Sequence, residues 1–290
     1  MRTLRPSRCC IPASERSGLS GRTGLTILEL LVTSGILSVL TALLLPAVMA
    51  VRESARRMEC TSHLRQIGLG LHQYHETYAC LPPAWLTDSR GKTAYGWAAA
   101  LLPFVEQQAT SVVIQRQVGL SDAANEQARS IVLPLLTCPS DVAPPVFELY
   151  EPGTLTPFLI LPHASYLGVY GTSEADEIHP TPPGDGTFIN GRPVRLSELT
   201  RGLSQVMIVG ERSVSMFDTT WIGFDRRDED AECRILGSAL QQPNCQTCDE
   251  CEFSSRHAGL SHFLFGDGHV RGLSNSIDQA VYQQMARRFE

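Results

Sequence analysis

The sequence predicts an α+β protein in which one long N-terminal helix, its first half apolar enough to cross a membrane, precedes a head built around an antiparallel sheet. Three observations carry this. Residues 30–51 form a run of 22 positions without a charge. Beyond it Leu64, Ile67, Leu71, Tyr74 and Tyr78 recur at spacings of three and four, the stripe of a continuing helix. After residue 160, β-rich runs are punctuated by Asn190-Gly191 and Gly266-Asp267-Gly268, turn signals of antiparallel pairs.

The apolar run at about 1.5 Å per residue spans roughly 33 Å, enough for a hydrocarbon core. Arg2, Arg5, Arg8, Arg16 and Arg22 stand before it against Glu15 alone, a net of +4. This excess predicts an N-in orientation with everything after Val51 on the exported side. The helix is expected to end at Cys80-Leu81-Pro82-Pro83, since a residue before proline is pushed out of helical space. His72 and His75 fall on its expected polar face. With a whole-chain charge of −6 and +4 in the first 24 residues, the remainder carries −10. That argues against phosphate backbones and hence against nucleic acid as a partner.

Further along, Trp97–Gln108 and Asp122–Leu136 read as helices, and residues 142–162, rich in proline, as an irregular connection. Tyr166–Tyr170, Gln205–Val209, His262–Phe265 and His269–Leu273 read as strands, and Phe188–Val194 as a hairpin about Asn190-Gly191. A last helix is expected from Ser276, with Gln279 completing a capping box and Ile277, Val281 and Met285 buried.

Glu29 sits inside the apolar segment, where an ionised carboxylate costs on the order of 2–3 kcal/mol or more and asks for a partner. The stretch Gly24-Leu25-Thr26-Ile27-Leu28-Glu29 resembles the type IV prepilin signature. That resemblance implies cleavage by a prepilin peptidase between Gly24 and Leu25, methylation of the new amine, pairing of that amine with Glu29 of a neighbouring subunit, and a kink at Pro46. Leu25 departs from the Phe usual at the first mature position. Farther matches are Arg56-Arg-Met-Glu-Cys60, Leu64-Arg-Gln-Ile-Gly68, His72-Gln-Tyr-His75, Cys138-Pro-Ser-Asp141, Val209-Gly-Glu211, and His257 followed after nine residues by Asp267-Gly268. With these the chain resembles a large bacterial family of pilin-like exported proteins of uncharacterised function, with a prepilin-type N-terminal segment and a C-terminal H-X9-DG motif. His63, where that family often has Asn, and the cysteine-bearing region 233–251 depart from it.

The resemblance implies a leader over 1–24, a transmembrane and amphipathic helix over 25–80, and an exported head over 81–290 whose last part, 257–290, carries the motif. It further implies a structural subunit held in the cytoplasmic membrane, with other pilin-like subunits as partners and a pilus or pseudopilus as product. The alternative is a tethered module that binds an external solute or polymer.

Cys60 and Cys138 lie in motifs of that family and are expected to pair. Cys245, Cys248 and Cys251, with Cys233 upstream, allow local disulfides, as an oxidising compartment favours, or a zinc site of four thiolates. Asp225, Asp228 and Asp230 with Glu232 offer oxygen donors for Ca²⁺ or form a solvated acidic loop; the glycine of an EF-hand loop is missing and Arg226 and Arg227 interleave. His257, His262, Asp267 and His269 are the best case for an enzyme, the hairpin bringing His257 near Asp267; the plainer account is a histidine that bonds a turn. No phosphate-binding loop, nucleophile elbow or His-Glu-x-x-His occurs, so no catalytic residue and no cofactor is assigned.

Overall fold

The computed structural model describes residues 24, 26–175, 183–245, 247, 248 and 250–290. The proposed leader, apart from Gly24, and Leu25 lie outside the described residues. Two compact units divide the chain, one to Ala50 and one from Val51 to Glu290.

Helix α1 runs Ile27–Tyr78, 52 residues, without interruption at Pro46. From Ile27 to Val51 every side chain is exposed, and this stretch is long and apolar enough to cross a membrane. Its start is a capping box: the Thr26 N–H and hydroxyl donate to Glu29 Oε2 (2.8 and 3.0 Å), and the Glu29 N–H donates back to Thr26 Oγ1 (3.2 Å). Within the second unit the same helix buries Cys60, Leu64, Ile67 and Leu71, close to the expected stripe. Gly68 and Gly70 let it approach closely. A Cβ at Gly70 would meet Val105 at 2.5 Å and one at Gly68 would meet Leu264 at 2.9 Å.

The next elements are β1 (Trp85–Thr87), β2 (Thr93–Gly96), α2 (Trp97–Leu101), α3 (Gln108–Val113) and α4 (Glu126–Arg129). The two helices expected over 97–108 and 122–136 are therefore broken into short α and 3-10 turns. Pro103 and Pro134, each in a 3-10 turn, lack the N–H that a longer helix would need.

The proline-rich segment 142–162 is not irregular. It forms an antiparallel pair, β3 (Val146–Tyr150) with β4 (Pro157–Pro162). Pro157 and Pro162 are tolerated because in a two-stranded sheet each strand is an edge.

The central sheet is built from β5 (Tyr166–Gly171), β6 (Met207–Glu211), β8 (Leu236–Ser238), β9 (Leu260–Phe265) and β10 (Val270–Ser274), with β7 (Gly223–Asp225) joining β1 and β2 in a smaller sheet. Its order is β10-β9-β6-β5-β8, antiparallel except for β5 with β8. Strand alternation divides the core. Tyr166, Tyr170, Ile208 and Leu264 join the cluster that includes Leu64 and Ile67 of α1. Leu167, Val169, Met207, Phe263 and Phe265 face the opposite way, onto Tyr282 and Ala286 of α5 (Gln279–Ala286).

Two local expectations are corrected. Residues 188–194 form no hairpin: the Thr187 and Phe188 N–H groups donate to Val169 O (2.9 and 3.0 Å), so the segment docks on β5 and not on its own return limb. Helix α5 is capped by Asp278, whose side chain accepts the Val281 N–H, and its buried face is Tyr282 and Ala286 while Val281 is exposed.

Candidate site at the α1 and H-X9-DG junction

The motif histidine lies at the end of β9 away from the Asp-Gly turn. Six strand residues at about 3.3 Å each put roughly 20 Å between the two ends. The expected approach of His257 to Asp267 is thus corrected by the length of the strand between them. At the turn, the Gly268 N–H donates to Phe265 O (2.9 Å) and the Phe265 N–H to His269 O (2.9 Å), with Gly268 at φ +89°. Asp267 Oδ1 accepts from the His269 N–H (3.1 Å) and lies 2.6 Å from its Nδ1. Asp267-Gly268 is a turn device.

His257 is instead buried against α1. Its Nδ1 stands 2.8 Å from Glu53 Oε1, and its Nε2 lies 3.5 Å from Cys138 Sγ and 3.7 Å from Glu211 Oε1. The Nδ1 contact with a carboxylate makes Nδ1–H a donor to Glu53, and Nε2 faces the sulfur and Glu211. Glu211, at the end of β6 and 1% exposed, accepts the His262 N–H at Oε2 (2.9 Å) and lies 3.1–3.2 Å from His262 Nδ1. The rings of His257 and His262 meet edge to face at 5.0 Å.

Glu53 gathers further donors: Arg56 Nη2 at 2.7 Å and Ser140 Oγ at 3.1 Å. Burial alone would raise its carboxyl, but hydrogen bonds from His257, Arg56 and Ser140 outweigh it and hold the group at about 2. Cys60 and Cys138 are joined by a disulfide with Cα atoms 5.4 Å apart, tying α1 to the Cys138-Pro-Ser-Asp141 loop. Asp141 fastens that loop to the chain after β6, accepting from Ser213 Oγ (2.8 Å) and the Val214 N–H (3.0 Å). Burial opposes the ionised form of Asp141, yet His163 and these donors keep its carboxyl below the usual value.

The other residues singled out in the sequence sit elsewhere. Cys233 is bonded to Cys251 and Cys245 to Cys248, so all four sulfurs of the alternative zinc set are in disulfides. Asp225 receives Arg227 at both oxygens (3.0 and 2.8 Å), and Asp228 receives Arg234 (2.6 and 3.1 Å). Arginines thus occupy the oxygens of these two aspartates. Asp230 is in the same loop and has an interaction of its own. His72 and His75 are half-buried and not fully exposed; the Leu196 N–H donates to His75 Nε2 (3.4 Å).

Sequence reasoning missed Glu53 as a partner of His257. Glu211 and Asp141 were visible as members of short motifs, but without a role.

Residues 49–280, most of the chain and all of this site, match the model of a family described as "Protein of unknown function (DUF1559)". The chain belongs to the DUF1559 family. No curated protein and no solved structure matches it. The DUF1559 match begins within the apolar part of α1 and takes in both His257 and Asp267-Gly268, the pilin-like H-X9-DG pattern in general.

Proposed function

We propose that this DUF1559 protein is a prepilin-like structural subunit, cut between Gly24 and Leu25, methylated there, and held in the cytoplasmic membrane by the first half of α1 with its head exported. The carrying observation is an entirely exposed apolar helix from Ile27 to Val51 whose single charge, Glu29, stands five residues after Gly24. Such a surface is costly in water and matched to lipid or to copies of itself. The three disulfides among the described residues agree with a head on the oxidising side.

In the single chain Glu29 is served by Thr26 of its own helix. Assembly into a pilus or pseudopilus then means that the amine of a neighbouring subunit joins or replaces these donors. The test is the N-terminus of the exported protein together with a Glu29→Gln variant. Mass spectrometry is expected to find a methylated chain starting at Leu25. The substituted amide keeps a capping oxygen but carries no charge, so the variant is expected to be cleaved and inserted yet absent from sheared filament fractions. An intact leader overturns processing. Normal incorporation of the variant overturns the charge-pairing role, and a chain that is cleaved but stays monomeric in detergent and in the cell favours a tethered binding module.

A further inference from the structure

We propose that, once the Cys60–Cys138 disulfide is reduced, Cys60, Cys138, His257 and Glu211 form a four-coordinate site for a zinc-type divalent cation. One donor atom from each of these four buried residues lies within 4.8 Å of the other three. A tetrahedral site with donors at about 2.0–2.3 Å from the metal has donor-to-donor edges of about 3.3–3.8 Å. Two edges already have that length: His257 Nε2 to Cys138 Sγ at 3.5 Å and His257 Nε2 to Glu211 Oε1 at 3.7 Å. The Cys60 to Cys138 edge opens when the S–S bond is broken, and no other pair in the set is more than 4.8 Å apart, about 1 Å beyond the ideal edge.

The surroundings are those of a metal-binding histidine and carboxylate. Glu53 accepts the hydrogen bond of His257 Nδ1–H, which orients the ring and raises the donor strength of Nε2. His262 grips Glu211 through both its backbone N–H and its ring. A polar cleft lined by Ser254, Arg256, His257 and Cys245 borders the site on the His257 side. Two thiolates and one carboxylate against a dication leave a net charge of about −1, and this set of borderline-soft and nitrogen donors suits Zn²⁺ over Ca²⁺ or Mg²⁺.

The redox step balances with an external dithiol as reductant. The dithiol gives two electrons and two protons to the S–S bond, becoming a disulfide itself. The bond between Cys60 and Cys138 breaks to two thiols, and the entering cation displaces both thiol protons to solvent. The disulfide thus clasps α1 to the Cys138 loop, and the metal clasps these two together with the end of β6 and the loop before β9.

The test uses the full chain in detergent, reduced with dithiothreitol, freed of reductant without oxygen, loaded with Zn²⁺ and desalted. X-ray absorption at the zinc edge is expected to show one retained ion with two sulfur and two nitrogen or oxygen neighbours. His257→Gln is expected to lose retention, and Glu53→Gln to weaken it by about 10–100-fold. The oxidised chain should retain none. A four-sulfur shell would place the ion at Cys233, Cys245, Cys248 and Cys251 and overturn the proposal, as would no retention after reduction or equal retention by the oxidised chain. Should either variant fail to fold, the shell of the wild-type ion decides alone.

Discussion

Glu53 and His257 stand 204 residues apart in the chain, yet their side chains meet at 2.8 Å. Glu53 belongs to α1, and His257 opens the C-terminal motif. The contact makes the motif histidine a fastening for the helix, and it closes a loop that nearly spans the second compact unit.

Breaking this pair should therefore loosen the head as a whole. Glu53→Ala and His257→Ala are each expected to cost about 2–4 kcal/mol, because each leaves a partly or fully buried polar partner short of its bond. The double variant should cost less than the sum of the two, giving a coupling of about 1 kcal/mol or more in a thermal or urea unfolding cycle. Simple additivity would mean that the contact carries no energy.

The second half of the motif is expected to respond differently. Gly268 has φ +89°, so Gly268→Ala places a side chain in left-handed backbone and should cost about 1–2 kcal/mol. Asp267→Ala removes only exposed turn bonds to His269 and should cost about 1 kcal/mol or less. Neither change is expected to alter the environment of His257, and an NMR signal from that ring that stays in place would check this.

Removing the Cys60–Cys138 bond by Cys138→Ser opens a loop of sequence separation 78. Chain entropy predicts a loss of about 4 kcal/mol. Urea unfolding of the variant, compared with that of the oxidised parent, measures it, and a loss below about 1 kcal/mol would show that α1 is held without the disulfide.

Glu252 sets a pH dependence. It is 1% exposed, and burial pushes its carboxyl up to about 8 from an ordinary 4.5, against the pull of the Gln241 and Leu240 N–H groups and of Arg212. Between these two values the unfolded chain has released the proton while the folded chain still holds it. Stability is thus fullest below about 4.5, falls as pH rises toward 8, and takes no further loss from this group above that, with a slope of at most about 1.4 kcal/mol per pH unit. Glu252→Gln should flatten that limb in melting curves taken across the interval, and an unchanged slope would assign it to other groups.

Much of the fold was legible because its signals are local. The stripe Leu64, Ile67, Leu71 needs only the helical period, and Gly266-Asp267-Gly268 needs only the demand of a tight turn for a left-handed residue. The pair β3 and β4 was hidden because Pro157 and Pro162 read as breakers, although an edge strand tolerates them. The capping box of Thr26 and Glu29 was written in the usual Thr-x-x-Glu spacing, but the apolar surroundings drew attention to a partner outside the chain. At the site, the sulfurs of Cys60 and Cys138 followed from the family pattern, whereas the partners of His257 did not. No periodicity links position 53 to 211 and 257; only the sheet order and the docking of α1 bring them together.

The reciprocal bonds of Thr26 and Glu29 bear on how such a chain waits in a bilayer. A carboxylate already engaged by its own first turn is not a bare ion dissolved in lipid, so a solitary copy can reside there without prompt capture. In the assembly proposed above, a neighbour's amine would compete with or add to donors that the carboxylate already has, so part of the gain from pairing is present before any copy is joined.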